Sequence, residues 1–133
     1  MLRPLAVLLL VTMCTGCAGV AAPSCGLGEA MTETQLFFGL SKPNGGTVSE
    51  REWQSFAAAE IAPRFPEGFS VLDGAGFWRD AATQKTISEK SKVVVRMHGD
   101  GADAAITAIV AAYKAKFQQD AVLRVDRTVC AQF

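Results

Sequence analysis

The sequence lacks an excess of either charge. Thirteen basic side chains balance thirteen acidic ones over 133 residues, so no long-range field draws the chain to nucleic acid, and a nucleic-acid partner is excluded. Nor does any apolar run reach the roughly 20 residues that a membrane-spanning helix needs. Histidine occurs once, at His98, and no cysteine pair stands near it at ligand spacing, so no metal site is expected. Ser41 and Ser49 sit in no nucleophile-elbow pattern. Gly99 and Gly101 flank Asp100 without the third glycine or the lysine of a phosphate loop, and no cofactor is expected. What is present is apolar: half of the residues are hydrophobic and a fifth charged, too many and too few for a disordered chain, and the length suits one folded domain.

The N-terminus carries one cation, Arg3, and then the run Leu5 to Val11, the length of a signal-peptide core. Thr15 and Gly16 stand directly before Cys17 and resemble the lipobox of bacterial lipoproteins, with Cys17 as the acylated residue. Cys14 departs from the leucine usual at its place, which leaves cleavage after Ala22 as the alternative. The expected organisation is a leader over residues 1–16, a tether over residues 17–31 rich in small residues, and a domain over residues 32–133. On this reading the protein is exported and held at the membrane by a lipid on Cys17. By analogy with lipoprotein sorting, Ala18 in place of Asp directs it to the periplasmic side of the outer membrane; a soluble periplasmic or secreted protein is the alternative. Losing the leader removes Arg3 alone and leaves a balance of −1. Cys25 and Cys130 then remain in an oxidising compartment and are expected to form a disulfide, two independent thiols being the other reading.

Thr32 to Gly39 alternates with the period of a half-buried strand. Ser49 and Glu52 form a capping box, Val48 and Trp53 a hydrophobic staple, and Trp53, Phe56, Ala57 and Ile61 the buried stripe of a helix that Pro63 ends. Phe69 to Trp78 reads as a second strand, with a bulge or close backbone approach at Gly74 to Gly76. Arg79 to Ser91 is polar and reads as a long mobile connection. Lys92 to His98 is a third strand, Asp100 caps a helix with Ile106, Ile109, Val110, Tyr113 and Phe117 on one side, and Val122 to Cys130 is a fourth strand with Leu123, Val125 and Val129 facing in. Strand, helix, strand, strand, helix, strand is the order of an α+β ferredoxin-like split βαβ domain, an antiparallel sheet with two helices on one face. In that topology the first and last strands are neighbours, which brings Cys25 to Cys130.

The helix-free face of the sheet is expected to carry Glu33, Gln35, Phe37, Arg96, His98, Arg124 and Asp126. Phe37 on an otherwise polar face points to cover by a partner, either a second copy in a homodimer or another envelope protein. His98 at a strand end with Arg96 two residues earlier is the one combination with acid–base and anion-holding chemistry. A structural histidine and a lattice of cross-strand ion pairs are the competing readings.

Glu33 to Gly39, Arg64 to Phe69, Trp78-Arg79-Asp80, Ser91 to Val94 and Val122 to Asp126 resemble a family of small bacterial envelope lipoproteins, domain of unknown function 3574. That resemblance implies an exported protein, often lipid-anchored, and carries no catalytic residue. Two functions follow as expectations. The first is a non-enzymatic envelope module that binds through its open sheet face. The second is a small dimeric ferredoxin-like enzyme or small-molecule binder with His98 and Arg96 in its pocket.

Overall fold

The computed structural model describes residues 24–133. The expected leader, the expected lipidation site at Cys17 and the first part of the expected tether lie outside the described residues. Four strands and two helices follow in the order β1 (Glu29–Gly39), α1 (Glu50–Phe56, continued by a π-helical turn over Ala57–Ile61), β2 (Ser70–Arg79), β3 (Thr86–His98), α2 (Asp103–Phe117) and β4 (Leu123–Ala131). The result is an α+β domain with one antiparallel sheet of order β2-β3-β1-β4.

Alternation along β1 divides the molecule. Leu36 and Phe38 point to the helices and are buried, and Phe38 sits at the centre of an aromatic cluster with Trp53, Phe56 and Tyr113, its ring 4.7 Å from that of Tyr113 at 68°. The Tyr113 hydroxyl donates to the Gly39 carbonyl at 2.8 Å, which satisfies a polar atom that the cluster buries. That burial pushes the phenol well above its usual range. Val94 of β3 and Ile106, Ile109 and Phe117 of α2 complete the core.

The capping box at α1 is present: Ser49 Oγ accepts from the Glu52 amide at 3.3 Å while the Glu52 carboxylate accepts from the Ser49 amide at 2.8 Å. Val48 and Trp53 are both buried in the core. At α2 the start differs from the expectation. Asp100 does not cap it; Gly101 turns the chain at φ +90°, and Ala102 takes the N-cap without a side-chain bond. Gln118 closes the helix in the left-handed conformation.

Further expectations are corrected. β1 begins at Glu29, before Thr32, because Glu29, Ala30 and Met31 pair with Ala131, Cys130 and Val129. The connection between β2 and β3 is not long: β3 starts at Thr86, leaving only residues 80–85, where the Asp80 carboxylate accepts from the Thr83 amide at 2.6 Å. Residues 86–91 are polar because this hairpin projects past the pairing of β1, which reaches only Ser91, so composition there resembles a loop. Leu123, Val125 and Val129 face away from the helices, and Leu123 and Val125 are 59% and 43% exposed. Gly74 to Gly76 carries no bulge, since the register with β3 runs unbroken. The close approach is there instead: a Cβ on Gly74 would stand 2.7 Å from Ser91 Oγ.

Cys25 and Cys130 are joined, with Cα atoms 5.6 Å apart and a separation of 105 positions in sequence. Such a closure restricts the unfolded chain far more than the folded one. The double substitution Cys25→Ser, Cys130→Ser is expected to cost about 2–4 kcal/mol in urea unfolding, with the far-UV spectrum unchanged.

Glu52 is held down to about 2 by the Lys42 ammonium at 2.7 Å and by the Ser49 amide and hydroxyl. A depressed carboxylate contributes its stability in full above its ordinary value of 4.5 and loses it as pH falls towards about 2. An NMR titration of the Glu52 carboxyl is expected to find that low midpoint, and Lys42→Ala is expected to move it upward.

Candidate functional site

The register decides which side chains meet. Thr34 lies opposite Arg96 on β3 and opposite Asp126 on β4, and Leu36 lies opposite Arg124. Since Leu36 faces the helices, Thr34, Arg96, His98, Arg124 and Asp126 share the helix-covered side, at the end of the sheet near the start of α2. The seven-residue open face expected from the sequence is therefore divided. Glu33, Gln35 and Phe37 remain on it, whereas Arg96, His98, Arg124 and Asp126 belong to the other. The consecutive Val93, Val94 and Val95 carry no alternation from which the parity of β3 could be read, and in β4 the apolar Leu123 and Val125 point outward.

His98 is buried in a chain of hydrogen bonds. Its Nε2 is 2.8 Å from Thr34 Oγ1, its Nδ1 is 2.6 Å from the Gly99 carbonyl, and Thr34 Oγ1 donates to Asp126 Oδ1 at 2.5 Å. A hydroxyl has one hydrogen, and here it goes to the carboxylate. Both ring nitrogens of His98 are thus engaged, one with the Thr34 hydroxyl oxygen and the other with the Gly99 carbonyl. The Thr34 hydrogen bond, then the Arg124 hydrogen bond and the charges of Arg124 and His98, hold the Asp126 carboxyl below its usual range. Arg124 continues the chain to Asp103 in the first turn of α2, at 2.6 Å. With both ring nitrogens engaged, His98 is held in place as a member of this network.

Arg96 is the better-placed group. Its Nη2 donates to Glu67 at 3.0 Å, its Nη1 to the Arg64 carbonyl at 3.3 Å, and its guanidinium lies 4.3 Å over the Phe65 ring. Nε is buried with no partner among the described residues. Arg96 and Glu67 line two clefts. One, of about 450 Å³, is bordered by Arg64, His98, Gly99 and Ala102. The other, of about 590 Å³, is lined by Met31, Phe69, Val95, Met97 and Phe133, apolar walls around one acid and one base. Among the described residues no cluster of histidine, cysteine and acidic side chains is arranged to hold a metal.

Thr34 and Glu67 were not marked by the sequence. Thr34 looks like one more strand residue, and Glu67 lies in the loop before β2, 29 residues from the arginine it pairs with. A second buried cation, Lys92, was missed for the same reason: it bridges Glu50 at 2.7 Å and Asp73 at 2.6 Å, three elements that only the fold brings together. Their hydrogen bonds, Asp73 first, raise the lysine above its usual range.

Thr34→Val removes the central link and leaves the imidazole and the carboxylate short of a partner. It is expected to cost about 2–3 kcal/mol in urea unfolding, with Thr34→Ser restoring most of the loss.

Two solved structures share the architecture. A phage SAM lyase in complex with S-methyl-5'-thioadenosine superposes with a TM-score of 0.56 at 16% identity, covering 79% of this chain and 93% of that chain. Phage SAM lyase in the apo state gives 0.51 at 17%, covering 84% and 98%. At these identities the likeness is one of fold. No curated protein matches the chain at a significant level. The family model described as protein of unknown function, DUF3574, matches residues 33–133, most of the chain and all but the first few residues of the folded part, and the protein belongs to that family.

Proposed function

We propose that this protein binds a small molecule in the apolar cleft beside Arg96, on a ferredoxin-like split βαβ scaffold. The scaffold reading is supported by two strand–helix–strand units, antiparallel neighbours throughout and both helices packed on one side of the sheet. The observation that carries the binding reading is the arginine itself. Arg96, whose buried guanidinium pairs with the exposed carboxylate of Glu67, lines together with Glu67 a cleft of about 590 Å³ whose lining also includes Met31, Phe69, Val95, Met97 and Phe133. Ligand sites have this composition: mostly apolar, of a few hundred cubic ångströms, with a few convergent polar groups.

The chemistry favours a ligand with an aromatic or thioether body and a hydrogen-bonding group. Met31, Met97, Phe69 and Phe133 supply polarizable and aromatic contacts for the first. Glu67 accepts from hydroxyl or amino groups, and Arg96 donates to oxygen or ring nitrogen. A nucleoside thioether meets both requirements, and S-methyl-5'-thioadenosine occupies the phage enzyme of the same architecture.

The test is a titration of the protein with S-methyl-5'-thioadenosine, followed by the NMR signals of the methionine methyls. Saturable shifts at Met31 and Met97 are expected, weakened at least tenfold by Arg96→Leu and unchanged by Phe77→Ser on the distant hairpin. Methyl signals that stay fixed up to millimolar ligand would remove this ligand class from the cleft.

A further inference from the structure

The helix-free face of the sheet is apolar in a specific order. The register places Leu72, Val93, Phe37 and Leu123 in one row across all four strands, and Ser70, Val95, Gln35 and Val125 in the next. Leu72 and Leu123 at the two ends of the first row are 56% and 59% exposed, and Val125 is 43% exposed. Met97, Glu33 and Arg127 form a third row, in which Arg127 donates to Glu33 at 2.8 Å.

We infer that this face is covered by a second copy of the same chain, sheet against sheet. Area and charge argue for that occupant. Four strands about 4.8 Å apart and eight residues of about 3.3 Å each enclose about 500 Å² in projection. Side-chain relief brings the accessible surface towards the roughly 800 Å² that each partner contributes to a standard interface. The charges on these three rows cancel within the Glu33–Arg127 pair, so a copy meets no like-charge repulsion. An anionic lipid surface would instead select a basic face, and Arg127 is the only cation in these rows. Two sheets packed face to face at the ordinary separation of about 10 Å interleave such side chains as a domain core does. The inference is independent of the ligand reading, although Met31, Val95 and Met97 of the cleft lie on the same face, and a second copy would roof them.

Sedimentation equilibrium of the protein up to roughly 100 µM, where even a weak specific interface of this size associates, is expected to give a mass of two chains. Leu72→Glu and Leu123→Glu are expected to give the mass of one chain with the far-UV spectrum preserved, and Phe77→Ser, exposed on the other side of β2, is expected to leave the pair intact. If a variant loses its fold, the wild type still decides. Intermolecular NOEs between the Leu72, Leu123 and Val125 methyls in a sample mixed from labelled and unlabelled chains support the pairing, and their absence overturns it. A wild-type mass of one chain, a pair that survives both glutamates, or a single chain that sediments with phosphatidylglycerol vesicles would each overturn it, the last assigning the face to lipid.

Discussion

A β-strand sends successive side chains to opposite sides, and β1, paired on both edges, imposes that division on the whole molecule. Thr34, Leu36 and Phe38 go under the helices; Glu33, Gln35 and Phe37 go to the other side. A slip of one residue would exchange every member of the two sets. The aromatic cluster around Phe38 opposes such a slip from one end, because it packs the Phe38 ring against Trp53 and Tyr113 and sets the Gly39 carbonyl to receive the tyrosine hydroxyl. The Cys25–Cys130 bridge opposes it from the other end, next to the pair Ala30 and Cys130.

Away from the aromatic cluster the helix-covered side turns polar. Beyond Leu36 the strand contributes Thr34, and its neighbours contribute Arg96, His98 and Asp126. Buried polar groups are tolerated where each finds a partner, and the chain from the Gly99 carbonyl through His98, Thr34, Asp126 and Arg124 to Asp103 provides one at each step. It ties β1, β3, β4 and α2 together by directional bonds where apolar contacts thin out. Arg96 stands beside this chain, with one nitrogen left over and a cleft on either hand. Its surroundings make it the centre of the candidate site, while the histidine that drew attention in the sequence is a structural member of the network.

Much of the fold was legible from local signals. The capping box and staple at Val48, Ser49, Glu52 and Trp53, the spacing of Ile106, Ile109, Tyr113 and Phe117, and the order of strands and helices each follow from residues within one or two turns. The legible part of the site was smaller. Arg96, His98, Arg124 and Asp126 were marked as a group, and they do come together, but on the opposite side from the one expected. Parity was ambiguous in β3, where three valines run in succession, and misleading in β4, where Leu123 and Val125 are the outward set. The polar run from Thr86 to Ser91 concealed a strand, because a hairpin that projects beyond its sheet is solvated on both sides.

The sequence by itself determined the elements, their order and the meeting of Cys25 with Cys130, because capping, periodicity and chain connectivity are properties of short segments and of topology. Only the tertiary structure decided which face each strand turns to the helices, that Thr34 and Glu67 belong to the site, and that an apolar row crosses the uncovered sheet. Those facts depend on cross-strand register between segments tens of residues apart, and register is set by the joint packing of the core and not by any one segment.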